Sequence, residues 1–313
     1  MTRLIARRML QLLPTLFILS VIIFLLQRLL PGDPALALAG DDQDPRVIAE
    51  IRRQWNLDLP LPVQYGYWIA DVLRGDLGQS MRLNTPVADL IVQKLPATLQ
   101  LAVMALLISL AIGVTAGVIS AVRKGTIVDY VANVVALAGI SVPNFWLGIM
   151  LILLFSIHLG WLPASGFVPI TEDWRTSLAT SILPAFVLGS HFAGVLMRHT
   201  RSAMLEAIES DYVRTARAKG LGEGRVVLRH AMRNALTPII TLGALEFGSL
   251  LSGAVLTEQI FSIPGFGKLI VDAVFNRDYA VVQGVVLVTA TIYVLMSLLA
   301  DIGYILANPR LRG

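Results

Sequence analysis

No cysteine occurs anywhere in the 313 residues, which excludes disulfides, thiolate metal sites and a cysteine nucleophile. Charge is scarce as well: 15% of the residues are Asp, Glu, Lys or Arg, against about 25% in soluble domains. The four histidines, His158, His191, His199 and His230, lack the i, i+4 spacing that sets two zinc ligands on one helix face. Neither a G-x-S-x-G elbow nor an H-E-x-x-H run is present, so the familiar hydrolase constellations have no footing. A phosphate-binding loop needs Gly-x4-Gly-Lys-Ser/Thr. The nearest approach, Gly267-Lys268, is followed by Leu269 and has Ser262 where the first glycine belongs, so the chain is not expected to hydrolyse ATP itself. The ten-residue alternation of an outer-membrane barrel strand is also missing.

What the chain has in quantity is apolar length. Hydrophobic residues make up 56% of it, gathered in six stretches near 9–30, 98–121, 131–157, 180–197, 236–257 and 281–305. A helix needs roughly 20 residues to cross a bilayer, so the expected fold is an all-α membrane protein with six transmembrane helices. The third stretch is long enough to tilt or to hold an interfacial turn. The first competes with a cleaved signal peptide, since Arg3, Arg7 and Arg8 precede it and Ala35, Ala37 and Ala39 offer an A-x-A-like site. Its apolar run is longer than a typical signal core, however, and Pro31-Gly32-Asp33-Pro34 intervenes before the alanines.

Lys/Arg asymmetry orients the helices. The side holding both termini carries fifteen of the 25 Lys/Arg, and the opposite side carries ten together with 14 of the 21 acids. Both termini are therefore expected in the cytoplasm, and the net charge of +4 reflects topology. The chain divides into an N-terminal transmembrane helix (1–30), an extracytoplasmic segment (31–97), a transmembrane core (98–307) with a cytoplasmic loop at 198–235, and a cytoplasmic tail (308–313). Within 31–97, Pro45 and the following RVIAEIRRQW predict a short amphipathic helix, and RGDLGQSMRLNTP reads as turns. This segment is expected to cap the bundle.

Lipid gives helices no hydrophobic reason to associate, so small residues mark close approach. Gly113 and Gly117 lie four apart in the second stretch, and Ala244, Gly248 and Ser252 keep that spacing in the fifth. Either these faces are tightly packed or the fifth lines a path whose walls slide. Glu246 falls near the middle of the fifth stretch, where a charge costs roughly 2.5–3.5 kcal/mol or more; it is expected to face protein or water. Asp301 lies close enough to the interface to reach toward Arg310 or Arg312, and His191 reads as an interior hydrogen-bonding residue.

The densest positive charge lies in DYVRTARAKGLGEGRVVLRHAMRNALTPII (211–240), with six Lys/Arg against two acids over 211–234. Asp211 is a candidate N-cap and Gly220 a left-handed stop. Between them Tyr212, Val213 and Ala216 are expected on one face, and Arg214 and Arg217 on another. A second helix is expected from Glu223, with Val227, Leu228, Ala231 and Ala235 as its apolar stripe and Arg225, Arg229 and Arg233 repeating every fourth residue; Pro238 then marks entry into the fifth stretch. That second helix suits anionic headgroups. The two-turn rod is too short to be stable alone and suits a clamping protein partner; the residues leave both readings open.

TRSAMLEAIESDYVRTARAKGL followed by HAMRNALTPII resembles the cytoplasmic loop of inner-membrane permease subunits of bacterial ABC importers, in the peptide/nickel/opine branch that includes dipeptide and glutathione permeases. Further runs agree in order along nearly the whole chain: LLPGDP, GDLGQS, LPATLQL, SVPNFWLGIMLILLFS, LGWLPASG, LTEQIFSIPGFG, RDYAVVQG and NPRLR. The resemblance implies a type I ABC importer permease-like fold with a cytoplasmic coupling helix between the fourth and fifth spans. In that family an E-A-A-x3-G loop sits in a cleft of an ATPase subunit. Here E-A-A falls on Arg214-Thr215-Ala216 and the glycine on Gly220; Arg214 replaces the acidic position, as in the branch's own R-T-A-R-A-K-G. The implied coupling residues are Asp211, Tyr212, Arg214, Thr215, Ala216, Arg217, Ala218, Lys219, Gly220 and Leu221.

The implied partners are a homologous second permease subunit, two cytoplasmic ATPase subunits that bind ATP and Mg, and an extracytoplasmic solute-binding protein. The implied location is the bilayer of the bacterial inner membrane, with no cofactor on this chain and no nucleic acid. Transport would proceed by alternating access. Glu246, Gly248 and Ser252 are candidates for the path, and Glu258, Arg277 and Asp278 for gating or receptor contact, along with 31–97 and the loop 258–280. Peptide import is the family's commonest activity; nickel complexes, opines, glutathione and oligosaccharides stay open, since selectivity rests largely with the separate binding protein. An ion-coupled secondary transporter working through Glu246 would have no need of the capped rod. An intramembrane enzyme lacks a catalytic constellation, and a nucleic-acid binder would not set its charges against an apolar stripe.

Overall fold

The computed structural model describes residues 2–29, 44–54, 57–80 and 82–307. Outside them lie the junction 31–34, the alanines Ala35, Ala37 and Ala39, and the tail 308–313 with Arg310 and Arg312. The side chains of Ala244, Ser252 and Asp301 likewise fall outside what is described. The described residues form helices joined by turns, with one isolated antiparallel bridge, Gln79 to Pro86.

The first helix, α1 (Thr2–Leu29), is followed by α2 (Pro45–Gln54) and α3 (Leu61–Leu73). As the sequence predicts, α2 opens on Pro45, where a missing N–H costs nothing, and the Asp44 carboxylate accepts from the Arg46 N–H at 2.8 Å. Helix α3 lies against α1: Ser20 Oγ and the Tyr65 hydroxyl are 2.8 Å apart, and the Phe24 ring meets Tyr65 edge-on at 5.5 Å.

Two helices of 36 residues dominate, α4 (Val87–Val122) and, later, α7 (Trp174–Glu209). Each rises about 54 Å, well beyond the roughly 30 Å of a hydrocarbon core. Both overrun the spans expected from hydropathy, because a helix continues for as long as backbone bonding and packing support it. The N-terminus of α7 is held by Asp173, which accepts from the Arg175 N–H and the Thr176 hydroxyl; these two donors keep its carboxyl below the usual carboxylate range.

Between them the third apolar stretch is broken. Helix α5 (Ile127–Ser141) meets α6 (Asn144–Leu151), which continues as a π-helical turn to His158, at an angle of 104°. Pro143 forces the break: the residue before proline is pushed out of the α region, and Val142 is extended at φ −75°, ψ 126°. Of the two expectations from its length, a tilt or a turn, the stretch takes the turn, as a sharp corner.

Beyond α7 come the short α8 (Asp211–Ala218), α9 (Glu223–Arg225), a π-helical turn (Val226–Ala231), α10 (Met232–Ile260), α11 (Phe266–Phe275) and α12 (Tyr279–Ala307). Among the described residues α4, α7 and Tyr279–Leu299 of α12 are long and apolar enough to cross a membrane singly. The corner α5–α6 and the bent run Glu223–Leu251 raise the number to five, and α1 contributes a shorter apolar stretch, Leu10–Leu26.

Helix α7 is the axis of the bundle, and glycine sets its distance from its neighbours. A Cβ on Gly113 would lie 2.7 Å from the Ala193 carbonyl, and one on Gly117 2.6 Å from Thr200 Cβ. From the other side, a Cβ on Gly189 would meet the Ala105 carbonyl at 2.6 Å and one on Gly194 the Ala136 carbonyl at 2.5 Å. The small-residue spacing of the second stretch is therefore a packing seam.

Candidate functional site

The basic loop folds as a capped rod on an apolar seat. Ser210, extended at φ −73°, ψ 154°, occupies the N-cap position, and Asp211 is already helical. This corrects the expectation for Asp211. The Ser210 hydroxyl turns back to donate to the Ala207 carbonyl at the end of α7, so the chain bends between two helices with no spare residue. Asp211 instead lies 3.5 Å from Arg214 on the exposed surface.

The other end of α8 closes as a Schellman motif. The Gly220 N–H donates to the Arg217 carbonyl at 2.9 Å and the Leu221 N–H to the Ala216 carbonyl at 3.4 Å. Gly220 has φ +79°, and a Cβ there would meet nothing within 4 Å; the requirement is conformational, not steric. Arg217 then reaches across the turn to grip Glu223, Nε to Oε1 at 2.7 Å and Nη2 to Oε2 at 3.2 Å. This two-pronged bond ties the rod to the next helix.

Val213 and Ala216 are the buried face of α8, set among Met204 and Ala207 of α7 and Val226, Val227 and Ala231 of the π-helical turn. Tyr212 was expected to share that face and does not: it is 41% exposed, beside a groove lined by Ala203, Glu206, Asn234 and Pro238. With Tyr212, the side chains of Arg214, Thr215, Ala218 and Lys219 stand outward. Of the expected stripe of the second helix, Val227, Ala231 and Ala235 are buried, while Leu228 is corrected: it is 66% exposed and Val226 is buried in its place, within the π-helical turn.

Two of the three candidates for gating, Glu258 and Asp278, turn inward. Glu258, at the end of α10, is fully buried. It accepts from Thr98 Oγ1 at 2.6 Å and from the Lys268 N–H at 3.0 Å, while Thr98 Oγ1 in turn accepts from the Phe266 N–H at 2.8 Å. The Glu258 carboxylate and the Thr98 hydroxyl thus satisfy the open N–H groups of α11 from another part of the chain, an N-cap in tertiary form. Gly265 and Gly267 leave room for the carboxylate, since a Cβ on Gly265 would fall on it. Asp278 is buried and accepts from Ser80 Oγ at 2.5 Å, fastening the 76–86 turn to the start of α12. Arg277 is exposed at φ +56°.

Of the candidates for the path, Glu246 is partly buried with His191 as its electrostatic neighbour. The His191 ring meets Phe192 edge-on at 5.5 Å. Gly248 is packed against Tyr293 of α12, which a Cβ would meet at 2.8 Å. The structure does not bring the basic loop, the mid-span acid and the buried carboxylates together; they occupy successive levels of the bundle. Sequence reasoning missed Thr98, Ser80 and the pair of buried Asp129 with half-buried Arg201. Their sole signal was a polar residue inside or beside an apolar stretch.

Two family descriptions match. Binding-protein-dependent transport system inner membrane component covers residues 113–313, and the N-terminal component of such systems covers residues 1–102. The chain is 43% identical over 312 residues to a putative peptide transport system permease protein of Brucella abortus, covering 100% of this chain and 99% of that one. It is 44% identical over 329 residues to the di/tripeptide transport system permease protein of Pseudomonas aeruginosa, covering 98% of each. Against the glutathione transport system permease protein of Escherichia coli K12 it is 41% identical over 308 residues, again covering 98% of each. Among solved structures, the MetNI methionine ABC transporter in inward-facing conformations has a similar fold. The TM-score is 0.57 at 18% identity, over 70% of this chain and 96% of that chain.

Proposed function

The chain belongs to the family of binding-protein-dependent transport system inner membrane components, and from that membership we propose that it is a permease subunit of an ATP-driven importer of di- and oligopeptides. In this reading it pairs with a second, homologous permease subunit in the bacterial inner membrane, both termini in the cytoplasm. Two ATPase subunits bind ATP and Mg and grip the cytoplasmic loops, and a solute-binding protein delivers substrate from outside.

The observation that carries the reading is α8. Its inner face is fixed by Val213 and Ala216 and its outer face is unobstructed and basic. A two-turn helix is marginal in water by itself; here the Gly220 turn closes its C-terminal end and the Arg217–Glu223 grip stiffens the exit. Such a rod transmits displacement without bending. When the ATPases close, α8 moves, and α7, joined to it through the single residue Ser210, moves with it. Alternating access then follows as the bundle rearranges about α7. Glu246, Gly248 and Ser252 remain the candidates for the path, and the roles of Glu258 and Asp278 in gating pass to the loops they hold in place.

Peptide as substrate rests on the names of the relatives from Brucella and Pseudomonas. The Escherichia coli relative supports glutathione, itself a short peptide, as a second substrate.

Gly220→Arg puts a side chain on a left-handed residue, and Arg217→Ala removes the grip on Glu223. Both variants are expected to lower co-purification with the ATPase subunits and to depress ATP hydrolysis stimulated by the binding protein. Unchanged association and stimulation in both variants would refute docking through α8. Uptake of a labelled dipeptide against labelled glutathione in vesicles separates the two substrates.

A further inference from the structure

One buried polar cluster belongs neither to the rod nor to the carboxylates at the far end. Asp129, in the first turn of α5, is 4% exposed and collects five donors. Its Oδ1 accepts from Arg201 Nε at 2.8 Å, Ser120 Oγ at 2.5 Å and Asn133 Nδ2 at 2.8 Å; its Oδ2 accepts from Arg201 Nη2 and the Gly125 N–H, both at 2.9 Å. Arg201 Nε also donates to Ser120 Oγ at 3.1 Å. Three helices meet at one carboxylate: Ser120 ends α4, Asp129 and Asn133 begin α5, and Arg201 lies on α7. A second tie joins the same elements, Lys124 Nζ to Glu209 at 3.0 Å. It is exposed and worth little in energy, but it connects the α4–α5 turn to the last residue of α7.

Position makes the cluster more than a stabiliser. Replacing a buried ion pair by apolar side chains of similar volume is often neutral or stabilising, whereas a guanidinium held by both prongs fixes orientation. Arg201 stands roughly 12 Å of unbroken helix before the end of α7, where Ser210 turns directly into α8. From Asp129, α5 runs to the 104° corner at Pro143.

We propose that Arg201 and Asp129 are positioning residues that clamp the end of α4, the start of α5 and the end of α7 into one rigid body, so that a displacement of α8 is carried whole into α5 and its corner. The inference rests on the reading of α8 as the helix that engages the ATPase.

The test uses the full complex, this chain with its companion permease and ATPase subunits, in liposomes. The chain has no cysteine, so when it is labelled by itself before assembly with the companion subunits, spin labels at Val134→Cys on α5 and Arg225→Cys beside α8 report one distance. In the otherwise unaltered chain that distance is expected to stay the same between the nucleotide-free state and ATP with vanadate. In Asp129→Asn and in Arg201→Ala it is expected to shift or broaden on adding nucleotide. Stimulation of hydrolysis by the binding protein is expected to fall roughly two- to thirtyfold, the range that mutations along a coupling route produce, while unstimulated hydrolysis persists; Arg201→Lys restores part of it. A nucleotide-dependent distance in the unaltered chain overturns the clamp, and that measurement needs no variant to fold. Lower thermal stability in the variants with an unchanged distance overturns it too, since that is a structural role alone. If no ATPase subunit co-purifies with the unaltered chain, the reading of α8 fails; if the subunits bind and the distance moves, only the clamp fails.

Discussion

At the scale of residues, the buried carboxylates show how the chain spends its few charges. Glu258 lies in a span's outer turn, where it reads as a candidate gate, yet it is walled in by Thr98, Gly265 and Gly267 and serves the N–H groups of α11. Glu258→Ala would leave the Thr98 hydroxyl and the Lys268 N–H without their acceptor. Each orphaned donor costs about 1–3 kcal/mol, so the melting temperature of the purified chain is expected to drop; an unchanged one would mean that α11 needs no such cap. That Glu258 mattered was legible, as was the left-handed stop at Gly220, because glycine closing a polar helix has a strong local signal. That Glu258 caps a helix was not legible, since Thr98 lies 160 positions away and its contact exists only after folding.

At the scale of elements, two small irregularities reset what hydropathy alone would assign. Pro143 turns one long apolar stretch into two helices at 104°. In the π-helical turn Val226–Ala231, Val226 joins Val227 and Ala231 in the buried stripe after the rod, and Leu228 faces out. The two residues therefore predict opposite outcomes. Val226→Asp places a charge among Val213, Ala216 and Met204, where an unpaired ion costs several kcal/mol, and is expected to abolish stable folding of the loop. Leu228→Asp is expected to leave the unfolding free energy within about 0.5 kcal/mol of the parent, as exposed substitutions do. Protease resistance at the loop, measured for both, checks the phase: equal sensitivity would restore an uninterrupted α-helix. The stop at Gly220 and the start at Glu223 were readable from the residues; the inserted residue was not, because a π-helical turn arises where packing on both flanks outweighs local hydrogen-bond geometry.

At the scale of the whole molecule, three levels of polar structure are spaced along an apolar bundle: the basic rod with its clamp, Glu246 with His191 in the middle, and the carboxylates that hold α11 and α12. Glu246 is the acid with the most freedom to act in transport, because it is partly buried and no hydrogen bond holds it among the described residues. Glu246→Gln is expected to lower dipeptide uptake severalfold with the complex still assembled; normal uptake by an assembled complex would remove Glu246 from the path.

Composition and order by themselves determined the membrane class, the number of apolar stretches, the charge asymmetry and the place of the basic rod. Those properties are sums or spacings over neighbouring residues, and bilayer thickness and helix pitch convert them directly into structure. Which charges face one another was decided only in three dimensions. Asp129 meets Arg201 across 72 positions and Ser80 meets Asp278 across 198, because only close helix packing brings groups so distant in the chain within hydrogen-bond reach, where a buried polar group left unpaired is costly.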